Sequence, residues 1–158
     1  MNIEISGKVS SILVHKGTSP IWSIDPNATV SDAIRLMDEK NVGALPVLDN
    51  KTLVGIVSER DYIRKVIVKG RSSKDTPISD IMTKQVLTVN PSNSVTECLR
   101  IMTERRVRHL LVLEGTKLVG ILSMRDVASW LMSAQQATID NLLLDYHGLS
   151  LKLFPTNF

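Results

Sequence analysis

The chain has 158 residues, of which 43% are hydrophobic and 22% are charged, and its formal net charge is +3. This length fits one compact domain or two half-size units sharing a core, and the mild charge does not indicate a nucleic-acid partner. The single cysteine, Cys98, excludes a disulfide framework or a thiolate metal cluster within the chain. The first ten residues lack the features of a signal peptide, and no apolar run reaches the roughly 18 residues of a membrane span. We therefore expect a cytoplasmic protein that does not contact membranes.

The chain contains an internal repeat. Residues 24–61 align without a gap on residues 89–126, and about sixteen of these thirty-eight positions are identical. Upstream, residues 9–13 match residues 78–82 if the first copy carries about four extra residues. Such self-similarity predicts two copies of one structural unit.

Each copy begins with a short strand and a helix. The strand ends at Ile24 or Val89, and an Asp-Pro or Asn-Pro step follows it. The helix starts at a capping-box pattern, Thr29-x-x-Asp32 in the first copy and Ser94-x-x-Glu97 in the second. Apolar residues then recur at helical spacing and predict one buried stripe in each helix: Val30, Ala33, Ile34 and Met37, and Val95, Cys98, Leu99 and Met102. Cys98 is therefore interpreted as a packing residue.

Two apolar runs joined by a short turn follow in each copy, residues 44–48 and 53–57 and then residues 109–113 and 118–122. Their lack of alternation predicts strand pairs covered on both faces. A second helix follows each pair, so each unit reads strand, helix, strand, strand, helix.

The end of each second run carries the same motif, "GIVSERD" at 55–61 and "GILSMRD" at 120–126. Ser58-x-x-Asp61 and Ser123-x-x-Asp126 are good capping boxes for the helices that follow. Capping is compatible with binding, because a helix N-terminus next to a strand end also offers N–H groups to an anion. From the pattern alone, both interpretations stand.

The order of elements and the Gly-apolar-x-Ser-x-x-Asp motif resemble the cystathionine-β-synthase (CBS) domain, here as a tandem pair over about residues 8 to 133. The chain is especially similar to the small stand-alone CBS-pair proteins of bacteria and plant organelles. The resemblance implies an α/β (α+β) fold in which two β-α-β-β-α repeats pack by their sheets about a pseudo-twofold axis. It also implies two clefts that bind adenosine-containing ligands such as AMP, ADP, ATP, NAD or S-adenosylmethionine.

Five segments follow from this division: repeat 1 at 8–69, a linker at 70–77, repeat 2 at 78–133, an amphipathic helix at 134–148 and a tail at 149–158. Gly148 is the expected stop of the C-terminal helix. The tail is either disordered or docks Phe154 and Phe158 on a partner.

Ribose binding is the role that the resemblance implies for the two aspartates. A carboxylate repels phosphate, whereas its two acceptor oxygens suit the adjacent 2′ and 3′ hydroxyls of a ribose. The expected ribose-binding residues are Ser58, Asp61, Ser123 and Asp126.

Phosphate binding requires cations, and four residues are candidates: Arg60, Arg108, His109 and Arg125. Arg60 and Arg125 lie inside the motifs, where solvated surface arginines are the alternative. Arg108 and His109 stand where the first repeat has Gly43 and Ala44, so we expect the two clefts to differ. His109 is alternatively a half-buried strand histidine. With an unperturbed pKa near 6.5, it would strengthen phosphate affinity in mild acid.

The adenine ring needs an apolar slot with backbone groups for its edge. The resemblance points to the first strand of each unit and the start of the next: Ile21, Trp22, Ser23, Ala44, Thr83, Val86 and Leu87. Trp22 is either a stacking wall or a tryptophan of the core or an interface.

No catalytic or metal-ligand set is recognisable, so we expect neither an enzyme nor a metal protein. The leading hypothesis is a ligand-binding regulatory module that senses adenine nucleotides or NAD and signals to a protein partner. The alternative is a structural or adaptor dimer with degenerate clefts, and an oligonucleotide binder that uses residues 104–109 is a third class. Ile63, Val66, Trp130 and Leu131 look uncovered, which favours a homodimer formed through these helices.

Overall fold

The computed structural model describes the backbone of residues 7–153 and the side chains of residues 7–145, so Phe154 and Phe158 lie outside the described residues. In chain order the elements are α1 (Val9–Lys16), α2 (Val30–Lys40), β1 (Ala44–Asp49), β2 (Thr52–Ser58), α3 (Glu59–Tyr62), β3 (Thr88–Val89), α4 (Val95–Arg105), β4 (His109–Glu114), β5 (Lys117–Ser123) and α5 (Met124–Leu153). A π-helical turn, Ile63–Ile67, continues α3, and a 3-10 turn covers Ile78–Asp80. The mixed α/β fold predicted from the repeat is confirmed.

The two strand pairs have the same register. β1 and β2 are antiparallel from Ala44↔Ser58 to Asp49↔Thr52, and β4 and β5 match them from His109↔Ser123 to Glu114↔Lys117. β3 adds to β4 as a parallel strand. In the first repeat this strand is reduced to one parallel bridge between Ile24 and Val47.

The capping box predicted at the start of α2 is complete, whereas only its serine half forms at the start of α4. Thr29 Oγ1 accepts from the Asp32 N–H at 3.1 Å, and the Asp32 carboxylate accepts from the Thr29 N–H at 3.1 Å. Ser94 Oγ accepts from the Glu97 N–H at 3.1 Å, but Glu97 Oε2 accepts from Asn93 Nδ2 at 2.7 Å. The apolar stripe of each helix then faces the core, and Cys98 is fully buried there as a packing residue.

The core consists of two clusters, and the first segment of each repeat packs into the cluster of the other repeat. Val9 and Ile12 of α1 lie in the cluster formed by the second repeat, whereas Ile78 and Ile81 lie in the cluster formed by the first. Each repeat therefore completes its core with the first segment of the other repeat.

Strands of both pairs are buried on two faces. Leu110 and Val112 point into the cluster of the second repeat, so Leu111 points the opposite way, and it is also fully buried. On β1, Leu45 and Val47 lie in the cluster of the first repeat, and Ala44 on the opposite face is also buried. The non-alternating apolar runs therefore belong to strands that are covered on both faces, as predicted.

Two expectations were wrong. Val66 is fully buried, because the π-helical turn adds a residue and rotates it into the core. Gly148 does not end a helix, since α5 runs without a break from Met124 to Leu153. A single glycine costs a helix only about 1 kcal/mol, which a long helix tolerates.

Gly55→Ala should destabilise the protein more than Gly120→Ala. A Cβ atom at Gly55 would lie 2.8 Å from Met82 Sδ and 3.0 Å from the Thr83 carbonyl oxygen, whereas the three atoms nearest to one at Gly120 belong to the Leu13 side chain. Overpacking typically costs about 1–3 kcal/mol, and a side chain yields more easily than backbone. Urea unfolding measures both variants, and equal losses would contradict this explanation.

Candidate functional site

The two Ser-x-x-Asp motifs occupy equivalent places, each at the point where a strand pair passes into a helix. The Glu59 N–H donates to the Gly43 carbonyl at 3.1 Å, and the Met124 N–H donates to the Arg108 carbonyl at 2.8 Å. Each motif thus lies beside the start of the first strand of its own pair. This arrangement brings Arg108 next to the second motif.

Both motifs form complete capping boxes. Asp61 Oδ2 accepts from the Ser58 N–H at 2.9 Å and from Ser58 Oγ at 3.0 Å. Asp126 Oδ2 accepts from the Ser123 N–H at 2.7 Å and from Ser123 Oγ at 2.8 Å. The serine hydroxyls are therefore engaged in capping, and one oxygen of each carboxylate is already in use.

A lysine pairs with each aspartate. Lys65 Nζ lies 2.8 Å from Asp61 Oδ1 and donates to the Ile81 carbonyl at 2.7 Å. Lys16 Nζ lies 2.8 Å from Asp126 Oδ2 and donates to the Ile121 carbonyl at 2.9 Å. The two lysines thereby link α1 to the second motif and residues 78–82 to the first motif.

The acceptor positions of the two carboxylates are not equivalent. At Asp61 the capping box uses Oδ2 and Lys65 uses Oδ1. At Asp126 all three donors share Oδ2, and Oδ1 accepts no hydrogen bond from any described residue. The side chain of Asp126 is only 16% exposed, so this open acceptor is partly shielded from water.

The pKa of Asp126 reflects this environment. Burial raises its pKa, but the hydrogen bonds from Lys16 and Ser123 outweigh burial and hold it below the ordinary value of 3.8. Asp126 is consequently an anion at neutral pH, as an acceptor for hydroxyl donors requires.

The four expected phosphate-binding residues have different surroundings. Arg60 Nη1 donates to the Arg106 carbonyl at 3.2 Å and so links the first motif to the end of α4. Arg108 and Arg125 are exposed. Arg60 thus has a structural contact between the repeats, while Arg108 and Arg125 remain accessible to an anion.

His109 lies between the two repeats. A Cβ atom at Gly43 would lie 3.6 Å from His109 Cε1 and 3.4 Å from Glu59 Oε2, so the glycine leaves room for both side chains. Burial lowers the pKa of His109 below 6.5, Asp126 opposes that shift, and Lys16 and Arg108 add to it. The assumption of an unperturbed histidine was therefore wrong, and any strengthening of phosphate affinity by its protonation moves to more acidic pH.

The residues expected around the adenine ring are not brought together as one set per repeat. Thr83 exchanges backbone hydrogen bonds with Ile56 of the first repeat, at 2.8 and 3.0 Å, whereas Leu87 packs on the core of the second. Val86 is half-buried between them. Thr83 thus lies against the sheet of the first repeat, because the segment preceding β3 crosses from one sheet to the other, and its role at an adenine ring stays a prediction.

On the first-repeat side, Ile21 and Ser23 are half-buried and Ala44 is buried. Trp22 is 37% exposed, and Lys40 Nζ lies 4.3 Å from its ring centroid. Trp22 is therefore a surface residue in a cation–π contact rather than a core residue.

Surface depressions occur away from the aspartates. One of about 420 Å³ is lined by α2 residues and Glu59, and another of about 430 Å³ lies between α1 and Trp130. Neither is lined by Asp61 or Asp126, whose carboxylates face lysine side chains instead.

Among residues 7–145, no group of three or more His, Cys, Asp or Glu side chains is placed to hold a metal ion. None of the described helices is long and apolar enough to cross a membrane.

The two lysines are the site residues that the sequence analysis missed. The i,i+4 spacing of Asp61 and Lys65 on one helix was a signal for their ion pair. Lys16 gave no signal, since it precedes Asp126 by 110 residues and meets it only through the exchange of segments.

His109→Gln should reduce the loss of stability on mild acidification. Because the pKa of His109 is lowered in the fold, the unfolded chain takes up a proton at higher pH than the folded chain does. The contribution of neutral His109 to the free energy of unfolding is therefore fully present above pH 6.5, and it is lost as the pH drops below that value. Urea unfolding at pH 7.5 and 5.5 measures the change, with His15→Gln at an exposed position as the control. An identical pH dependence in wild type and His109→Gln would contradict the assignment.

A family model described as "CBS domain" matches residues 9–68 and 78–133. The CBS domain-containing protein CBSX3, mitochondrial, of Arabidopsis thaliana is 40% identical over 131 residues, which cover 77% of this chain and 63% of that protein. The CBS domain-containing protein YhcV of Bacillus subtilis is 32% identical over 120 residues, covering 76% of this chain and 85% of that protein. A solved CBS-domain protein from Burkholderia ambifaria MC40-6 is 45% identical with a TM-score of 0.77, over 80% of this chain and 95% of that one. The chain therefore belongs to the CBS-domain family, whose paired domains are generally regulatory ligand-binding modules.

Proposed function

We propose that this chain is a non-catalytic sensor that binds an adenosine-containing ligand, AMP, ADP, ATP or NAD, and signals energy or redox state to a protein partner. The observation that carries the proposal is the open acceptor of Asp126. Its Oδ1 atom accepts no hydrogen bond from a described residue, although the carboxylate is only 16% exposed and anionic. A ribose hydroxyl is a neutral donor suited to such an acceptor.

The surroundings of Asp126 supply the remaining chemistry of a nucleotide. The Arg108 carbonyl accepts a hydrogen bond from the Met124 N–H of the same motif, and the Arg108 side chain is exposed. Arg125 is exposed one position before the aspartate. Phosphate oxygens would meet these guanidinium groups rather than the carboxylate.

The Asp61 cleft differs because Lys65 occupies its second oxygen. A ribose can use both oxygens of Asp61 only if Lys65 moves. We therefore propose that the ligand occupies the Asp126 cleft first and that Lys65 restricts access to Asp61.

The same ion pairs favour a second candidate, a structural or adaptor protein with degenerate clefts. If both aspartates serve only to cap helices and to hold Lys16 and Lys65, they have purely structural roles. Ligand binding separates the two candidates directly.

We also propose a homodimer and a cytoplasmic location. Of the four residues expected at the dimer surface, Ile63 is 54% exposed while Trp130 and Leu131 are partly buried. Ile67 and Val68, which are 56% and 71% exposed, extend the apolar surface around Ile63.

An adenosine ligand should raise the melting temperature of the wild type but not that of Asp126→Ala. A ligand at 100 times its dissociation constant adds about 2.7 kcal/mol, which corresponds to several degrees. The ligands are AMP, ADP, ATP, NAD, NADH and S-adenosylmethionine, with GMP as the control for the base. Asp61→Ala tests the other cleft.

Asp32→Ala is the matched control variant, because Asp32 forms the same kind of capping box outside the motifs. Losing a cap costs about 1 kcal/mol and lowers the melting temperature without ligand, but Asp32→Ala should retain the ligand-induced rise. A rise of equal size in Asp126→Ala would refute ribose binding there. No rise with any ligand in the wild type would favour the adaptor.

Lys65→Met should add a second binding event, whereas Lys16→Met should not. Removing Lys65 leaves Asp61 Oδ1 open as an acceptor. Removing Lys16 takes one donor from Asp126 Oδ2, but the capping box still uses that oxygen. Both pairs are partly exposed, so their loss costs little stability. Isothermal titration calorimetry with the ligand that stabilises the wild type counts the sites. A single event in Lys65→Met would show that Lys65 does not restrict the Asp61 cleft.

A further inference from the structure

The C-terminal half of α5 extends beyond the CBS pair. The family match ends at residue 133, whereas the helix continues to Leu153, about 30 Å farther. Every side chain from 135 to 145 is exposed. An isolated helix is marginal in water, so a segment of this kind depends on packing against something outside the described fold.

Exposed residues of this half of α5 follow a heptad pattern that is apolar except at Gln135. Met132, Gln135, Ile139 and Leu142 are separated by three, four and three residues, and Met132, Ile139 and Leu142 are 71%, 50% and 64% exposed. The sequence continues the same alternation through Tyr146, Leu149 and Leu153. A repeat averaging 3.5 residues keeps one seam directed at a second helix over its whole length.

The charges and residue types of this segment favour a second helix over a membrane surface as the partner of the seam. Asp140, Asp145 and Lys152 are the charged residues between 132 and 153, so one basic residue stands against two acidic ones, whereas a helix lying on a membrane surface carries several lysines and arginines on its polar face. A partner helix must instead have the same spacing, as a second copy of this chain does. Ile139 at one seam position with Leu142 at the other is the combination that favours two parallel strands.

We propose that residues 132–153 of two copies of this chain pair as a parallel two-stranded coiled coil. The seam consists of Met132 and Ile139 at one position and Gln135 and Leu142 at the other. Gln136 Nε2 donates to Asp140 Oδ1 at 2.9 Å, and both residues lie outside the seam. This inference does not depend on ligand binding.

Cysteine cross-linking tests the pairing with a matched control on the same helix. Leu142 and Leu144 are 64% and 69% exposed, but only Leu142 lies in the seam. In a parallel pair, Leu142→Cys meets its own copy and forms a disulfide-linked dimer under mild oxidation, whereas Leu144→Cys does not. The wild type is the blank, because Cys98 is buried. Equal cross-linking of the two variants, or none, would overturn the proposal.

Sedimentation and vesicle binding give a second readout. In an Ile63→Glu background, which removes the other proposed dimer surface, Leu142→Glu should weaken self-association at least tenfold, and Leu144→Glu should leave it close to that of Ile63→Glu alone. If Leu142→Cys does not cross-link and Leu142→Glu instead abolishes binding to phosphatidylcholine–phosphatidylglycerol vesicles, the face binds lipid and the coiled coil is refuted.

Discussion

The carboxylate of Asp126 has to satisfy two requirements at once, and its contacts link the start of α5 to the end of α1. It caps the N-terminus of α5 through Ser123, which fixes where the helix starts, and it accepts Lys16 on the same oxygen. With three donors on Oδ2, Oδ1 accepts no hydrogen bond from a described residue and the cap is kept. Asp61 performs the same capping but has both oxygens engaged. One repeated motif thus gives two carboxylates that differ in their open acceptor positions.

The exchange of segments between repeats makes this arrangement possible. α1 packs into the core of the second repeat, and its last residue, Lys16, thereby reaches Asp126. The segment at 78–82 packs on the first repeat, where the Ile81 carbonyl receives Lys65. Under the proposed function, a ligand that changes either lysine contact acts on a segment that belongs to the other half of the chain. This connection is the route that we propose for the regulatory signal.

Local features of the fold were predictable from sequence. The helix stripes, the capping boxes and the strand pairs depend on residues within 14 positions of each other, as in Ala44↔Ser58 and His109↔Ser123, and the repeat supplied each pattern twice. Contacts between distant segments were not predictable. The ion pair of Lys16 with Asp126, the pairing of Thr83 with Ile56 and the lowered pKa of His109 all depend on such contacts. The prediction that Val66 is uncovered failed for another reason, because one extra residue in a helical turn changes which face of the helix a side chain occupies. The ribose, phosphate and adenine assignments stay predictions.

The most direct test of the account follows the backbone amide resonances of Ser123 and Asp126 by NMR during titration with AMP. The account predicts that these two resonances shift at lower ligand concentration than those of Ser58 and Asp61, accompanied by the amide of Lys16. Shifts that begin at Ser58 and Asp61, or that are confined to the depression over α2, would contradict the assignment of Asp126 as the first binding site.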